Sequence, residues 1–253
     1  MIRRIPGVVR ELAGIPGYHR HVRGVDCEGD WCRVDYGAHP RQYALVAEQP
    51  DPLAPVAVWW HGGGWQFGSP DLLVAFGEYF YRRGYTVWLP SHRRLPANSG
   101  RVVYADALKA LRLAQRSASV PPRLLLGGTS SGGHLAMLCA LRREGWLRGG
   151  RIEAVVTKGA PLSLRHLGQS PTRRFFAGHH ARPGFRALDP LAQLREDPGF
   201  PALVLHGTRD GLVPYECGLA FQLAARRVGW RDCDLVTLPG ATHLDTVRCM
   251  LEL

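Results

Sequence analysis

One passage constrains this chain more than any other. An apolar run, Arg123 to Leu126, passes directly into Gly127-Gly128-Thr129-Ser130-Ser131-Gly132-Gly133, and a helical stretch follows from about His134 to Arg143. A strand that turns into a helix through so few residues needs a tight turn. Gly128-Thr129-Ser130-Ser131-Gly132 fits the G-x-S-x-G pattern of a nucleophile elbow, in which the central serine is held in a strained backbone conformation at the strand's end. Side chains at 128 and 132 would collide with the neighbouring strand and helix, so glycine is required at both. Ser130 then stands at a helix N-terminus, where bare N–H groups and the positive end of the dipole favour developing negative charge. A phosphate-binding loop would also be glycine-rich, but no G-K-[ST] follows.

The rest of the chain alternates in the same way, which predicts a mostly parallel sheet covered on both faces by helices. Residues 21–47 read as an antiparallel hairpin or meander. Strands are predicted at Val56 to Trp60, Tyr85 to Leu89, Ile152 to Val156, Ala202 to Leu205 and Asp234 to Leu238. Helices are predicted at Val102 to Arg116, Tyr215 to Val228 and His243 to Glu252, and one starts at Ser69-Pro70-Asp71, with Ser69 as cap. The stretch from Pro161 to Phe200 is irregular and long for a connection, and it reads as a small lid or insertion over the site. A chain of 253 residues suffices for one α/β domain over residues 1–253, with 1–20 as an arm.

Three further segments follow predicted strands. His61-Gly62-Gly63-Gly64-Trp65 leaves backbone N–H groups bare, which suits an oxyanion hole built from the N–H groups of Gly63 and Gly64 with that of Ser131 as third donor. His206-Gly207-Thr208-Arg209-Asp210 puts an acid at the carboxyl end of a late strand. Pro239-Gly240-Ala241-Thr242-His243 supplies a histidine after the last one. The order Ser130, Asp210, His243 is the order of α/β-hydrolases. Ser130 is thus the candidate nucleophile, His243 the base and Asp210 the residue that orients it. Activity is expected to rise with pH through about 6 to 8, because the base must be neutral.

Other residues have competing readings. Trp65, Phe175 and Phe176 either line a substrate pocket or pack the core and lid. His134 is expected to pack locally, Asp189 is a weaker candidate acid, and His179 and His180 lack further ligands at zinc spacing. The formal net charge of +11 comes from dispersed arginines rather than one basic element, which argues against a nucleic-acid binder. The chain has no apolar run long enough for a membrane span, and its first twenty residues lack a signal-type apolar core. A cytoplasmic protein with no metal is expected. Six cysteines without a CxxC pair read as thiols, with Cys139 in the core and a Cys27–Cys32 pairing left open.

His61-Gly62-Gly63-Gly64-Trp65 with Gly68-Ser69-Pro70, and Gly128-Thr129-Ser130-Ser131-Gly132-Gly133-His134-Leu135-Ala136, resemble the hormone-sensitive-lipase-like and related short esterases. Tyr36-Gly37 and Pro40-Arg41-Gln42 look more like the compact branch, which includes feruloyl-esterase-like proteins and kynurenine formamidases. The resemblance runs from about Val34 to His243. It implies the α/β-hydrolase fold, an eight-stranded and mostly parallel sheet, ester hydrolysis and no cofactor. Many relatives carry an acid where Thr129 stands and alanine where Ser131 stands, while Ser91-His92-Arg93 replaces a common Asp-Tyr-Arg. Sixty residues precede His61. The long N-terminal cap of larger members must therefore be reduced, which favours small or extended, accessible substrates. The expected partner is a small-molecule ester, with no nucleic acid and no membrane insertion. A homodimer is left open. A carboxylesterase for small acyl or aryl esters heads the readings, followed by an amidase of the arylformamidase or peptidase kind with the same triad. A non-catalytic binding protein on the same fold comes third.

Overall fold

The computed structural model describes residue 11 and residues 26–118, 122–168, 170–180 and 183–249. The predicted N-terminal arm, apart from Glu11, and the predicted end of the last helix beyond residue 249 lie outside the described residues.

Among the described residues, eight strands form one sheet in the order β1-β2-β4-β3-β5-β6-β7-β8. They are β1 (Cys32–Asp35), β2 (Tyr43–Ala47), β3 (Val56–Trp60), β4 (Thr86–Pro90), β5 (Arg123–Thr129), β6 (Arg151–Lys158), β7 (Ala202–Gly207) and β8 (Cys233–Leu238). β1 pairs antiparallel with β2 and β2 with β4, as the predicted hairpin requires, and the remaining pairings are parallel. β5 and β6 each run farther than expected, because neighbouring ladders continue to pair Gly128, Thr129 and Lys158.

The helices are α1 (Val74–Tyr81), α2 (Gly100–Ser117), α3 (Ser131–Leu141), α4 (Pro171–Ala177), α5 (Pro183–Leu188), α6 (Glu216–Arg227) and α7 (His243–Arg248). Side chains alternate across a strand, so each central strand feeds two cores. Val56, Val58 and Trp60 join one core with residues of α2, α3 and α6. Ala57 and Trp59 join the other with Phe76 and Phe80 of α1 and Val247 of α7. The helix predicted from Ser69 begins as a 3-10 turn over Pro70–Leu73, with Ser69 extended and giving no side-chain cap.

Register carries the site loops to one edge. Trp60 pairs with Gly128, Thr129 with Lys158, Lys158 with Leu205, and Gly207 with Leu238. The chain leaves β3, β5, β6, β7 and β8 close together at their carboxyl ends, where open parallel sheets hold their ligands.

Candidate active site

Ser130 has φ 54° and ψ −121°, a left-handed conformation rare for a residue with a side chain. Its N–H donates to the carbonyl of Lys158 at 2.7 Å, and its own carbonyl accepts the His134 N–H at 3.1 Å, which starts α3. The predicted role of the flanking glycines holds. A Cβ on Gly132 would lie 2.1 Å from the Trp60 carbonyl oxygen, and one on Gly128 would lie 2.4 Å from the Gly132 carbonyl carbon. The elbow therefore wedges between β3 and α3 with no space for a methyl group. Ser131 is the first residue of α3, so its N–H is among those without an intrahelical acceptor.

The His61–Gly68 loop follows β3 on the neighbouring side. His61 is fully buried; burial lowers its pKa to about 3, so the ring is neutral, and its Nδ1 lies 2.7 Å from the Gly62 carbonyl. Nδ1 therefore carries the proton and donates. The Gly63 carbonyl accepts from the N–H groups of Gln66 and Phe67 at 3.1 and 2.9 Å. A trans peptide sets N–H opposite C=O, so fixing these two carbonyls aims the Gly63 and Gly64 N–H groups away from the loop's own turn. Gly63 and Gly64 adopt φ of 118° and 60°. Below the loop, the His92 ring stacks on His61 at 4.8 Å between centroids. Burial lowers His92 to about pKa 4 and leaves it neutral as well. Next to it, the Arg93 guanidinium grips buried Asp106 at 2.8 Å, and Gln42 donates to the same carboxylate at 2.7 Å. The Ser91-His92-Arg93 departure thus forms a floor under the glycine loop.

His243 Nδ1 lies 2.7 Å from Asp210 Oδ2. The acid accepts there, so Nδ1 carries the proton and Nε2 is left for a substrate-side partner. The other oxygen of Asp210 accepts the N–H groups of Leu212 and Val213 at 2.9 and 2.8 Å. His206 Nε2 sits 3.0 Å from the Val213 carbonyl and 3.5 Å from Asp210 Oδ2. Both neighbours are acceptors, so that nitrogen carries a proton. Burial alone would raise the Asp210 pKa; the bonds from His206 and His243 and from the Val213 N–H outweigh it and hold the carboxyl well below the usual carboxylate range.

Ser130, Ser131, Gly63, Gly64, Trp65 and His243 line one cavity of about 650 Å³. Its walls are mainly apolar, with Leu72, Leu73, Leu167, Leu212, Leu244 and Val247 prominent, and among the described residues no Asp, Glu, Lys or Arg lines it. Sequence reading named none of these aliphatics, since each looks like ordinary core until the loops are folded. The three predicted pocket aromatics part company. One edge of Trp65 reaches the cavity, yet the ring is buried and stacks on Phe176 at 4.1 Å, with His134 edge-on to both. Phe176 is buried in this cluster rather than in the cavity wall, and Phe175, on the other side of α4, points to solvent at 56% exposure. A helix of this length has one face toward the body, and Arg173, Phe176 and Ala177 occupy it. From the 161–200 stretch, Pro161, Leu167, Ser170 and Thr172 line the cavity, and Thr172 accepts from Gln66 Nε2 at 2.8 Å.

The remaining candidates fall elsewhere. His134 packs as expected, with Nε2 2.8 Å from the Leu188 carbonyl. Asp189 is buried within the 161–200 stretch and accepts the Leu164 N–H at 3.1 Å, while His243 Nδ1 pairs with Asp210. His179 and His180 are exposed, with rings 4.2 Å apart. Among the described residues no cluster suited to a metal occurs, no helix is long and apolar enough to cross a membrane, and no disulfide links Cys27 to Cys32.

Known proteins share this fold. Solved structures with the same fold include a carbohydrate esterase from gut microbiota, at 16% identity and TM-score 0.75, covering 88% of this chain and 93% of that one. Esterase B from Lactobacillus rhamnosis, solved with an inhibitor, is 19% identical with TM-score 0.74, covering 92% and 82%. Esterase 2 from the Planctomycetes species Thermogutta terrifontis, solved with butyrate, is 25% identical with TM-score 0.70, covering 88% and 91%. Among curated proteins none is similar enough in sequence to match. The BD-FAE family model matches residues 44–224, from β2 through most of α6 and so across the elbow, the glycine loop and the Asp210 loop. The chain belongs to the BD-FAE family, on the α/β-hydrolase fold of these esterases.

Proposed function

We propose that this protein is a serine carboxylesterase that hydrolyses small, neutral acyl or aryl esters through an acyl-enzyme on Ser130. The observation that carries the reading is the 2.7 Å bond between His243 and Asp210, which leaves Nε2 of a histidine for the cavity that Ser130 also lines. His243 takes the proton of Ser130 as the hydroxyl attacks the ester carbonyl, and Asp210 fixes the tautomer and stabilises the imidazolium. The N–H groups of Gly63, Gly64 and Ser131 receive the oxyanion; the fixed carbonyls of Gly62 and Gly63 and the start of α3 support that assignment. His243 returns the proton to the leaving alcohol. Water, activated by the same histidine, then releases the acid.

The cavity supports the substrate class. A charged substrate would be stripped of water against aliphatic walls whose described residues include no Asp, Glu, Lys or Arg to meet it. Family membership and the esterases that share the fold support ester chemistry. The buried thiols Cys139, Cys217 and Cys233 suit a reducing, cytoplasmic setting.

Hydrolysis of p-nitrophenyl acetate, butyrate and decanoate by the wild type and Ser130→Ala, with N-formylkynurenine alongside, tests the reading. Turnover of the short esters, lost in the variant, is expected. Faster turnover of the formamide would move the function to amide hydrolysis with the same residues. Activity unchanged in Ser130→Ala would remove the serine from the mechanism.

A further inference from the structure

α7 carries His243 as its first residue and is only six residues long. So short a helix has little stability of its own. Its first N–H groups have no intrahelical acceptors, and each finds one elsewhere. The N–H of Asp245 goes to the Thr242 hydroxyl at 3.3 Å, within a capping box. The N–H of His243 goes to Glu11 Oε1 at 2.7 Å, and that of Leu244 to Glu11 Oε2 at 3.3 Å. Glu11 lies more than two hundred residues away in sequence and is 2% exposed. Its Oε1 also accepts the N–H of Gly211, at 3.2 Å, on the loop that bears Asp210. One buried carboxylate therefore ties together the backbones of the base and of the residue that orients it.

The other end of α7 is met by the opposite charge. Lys158 is fully buried, donates from Nζ to the Val247 carbonyl in the helix's last turn, and lies 4.3 Å from the centroid of the Phe76 ring. Its backbone carbonyl is the acceptor for the Ser130 N–H. The next residue, Gly159, has φ 56°, and a Cβ there would sit 3.1 Å from the His243 ring. The segment 158–159 thus touches the nucleophile's backbone, the base's ring and the base's helix. A negative group at the N-terminus and a positive one at the C-terminus match the helix dipole. Burying two charges to hold six residues is costly unless each is well bonded.

We infer that Glu11 and Lys158 are positioning residues for His243: Glu11 holds the first-turn amides of α7 together with the Asp210 loop, and Lys158 holds its last-turn carbonyl. The inference rests on His243 acting as the base. Displacing the base moves it off the serine hydroxyl, while the wall aliphatics Leu72, Leu73, Leu167 and Leu212 lie on other elements than α7, so the loss falls mainly on kcat rather than KM.

The test measures kcat and KM on p-nitrophenyl butyrate, the rate at which a fluorophosphonate labels Ser130, and thermal unfolding. The variants are Glu11→Ala, Glu11→Gln and Lys158→Met, with Ser130→Ala and His243→Ala as controls. In Glu11→Ala kcat and labelling fall about 10²-fold, the scale of a small misplacement of a reacting group, while KM stays within about twofold. Glu11→Gln regains about a tenth to a third of wild-type kcat, because an amide oxygen still accepts the His243 N–H. Lys158→Met falls less, about tenfold. A folded Glu11→Ala protein with wild-type kcat, a loss seen only in KM, or a Gln variant no better than Ala would overturn the inference. Should Glu11→Ala not fold, Glu11→Gln decides, with a lowered kcat at unchanged KM for the inference and wild-type kcat against it. Full activity in Ser130→Ala and His243→Ala would instead overturn the triad itself.

Discussion

The elbow at 128–133 and the insertion at 161–200 both border the cavity, but they are built on different principles. The elbow is fixed by its own backbone. Ser130 is strained, and Gly128 and Gly132 leave no space for a Cβ. Two of its carbonyl and N–H groups are tied to β6 and α3. The insertion has short helices and a 3-10 turn held by side chains: Ser170 caps α4, Gln66 bonds Thr172, and Phe176 stacks on Trp65. The elbow therefore tolerates almost no change in shape, whereas the insertion depends on a few aromatic and polar anchors and is free on its outer face.

The sharpest break in that contrast comes from Ser130, the proposed nucleophile. Ser130→Ala should abolish ester turnover, by at least about 10³-fold, with Tm unchanged or raised as the hydroxyl is removed from a strained turn. An activity loss smaller than tenfold in that assay would be incompatible with a covalent role. Next comes Gly132→Ala, whose methyl group must push β3 and α3 apart at a contact of 2.1 Å. A shift of about 1 Å at the elbow costs about 10²-fold in kcat, and Tm falls with it. If this variant keeps wild-type kcat and Tm, the elbow is softer than its packing implies.

The insertion and Trp65, the glycine-loop residue that anchors it, should respond in stability first. Trp65→Ala empties the ring site between His134 and Phe176, a loss of about 3–5 kcal/mol, read by denaturant unfolding. Phe175→Ala, on the exposed face of α4, should stay within about 0.5 kcal/mol of the wild type. Equal effects from the two would erase the distinction between the anchored and free faces. Between them lies Asp189. Burial raises its pKa to about 6, although the N–H groups of Leu164 and Leu191 and the nearby Arg165 and His166 oppose it. The folded chain then binds more protons than the unfolded one between about pH 4 and 6, so stability falls as pH rises through that window. Asp189→Asn should raise Tm at pH 8 and change it little at pH 4. A variant whose Tm gain is the same at both values would show that Asp189 does not titrate in this range.

Much of this was legible in the chain. Ser130, Asp210 and His243 each follow an apolar strand and stand among glycines or near a proline, so local pattern and order sufficed to nominate them. The central strands and the long helices α2 and α6 fall within a few residues of their predicted ranges, because a continuous apolar run or a 3.6-residue period reports on burial directly. Strand ends were misjudged at β5 and β6, where Gly127 to Thr129 and Thr157-Lys158 look like turn residues but are drawn into the ladder by their neighbours. Phe175 and Phe176 could not be separated, since adjacent aromatics carry no sign of which faces in. Glu11 offered a faint signal as the sole acid before Asp26 in a basic stretch, and Lys158 as one of two lysines in the chain.

By itself, then, the sequence determined the α/β alternation, the turn that strains Ser130 and the order in which the three candidate catalytic residues occur. Those properties follow from local sterics and periodicity, which are written in neighbouring residues. Tertiary structure alone decided what surrounds them. The buried carboxylate on the His243 amides, the buried ammonium at the far end of the same helix, the stacked neutral histidines at the glycine loop and the aliphatic wall all join residues remote in sequence. A polar side chain acquires such a role only when folding removes water from it and supplies its one remaining partner.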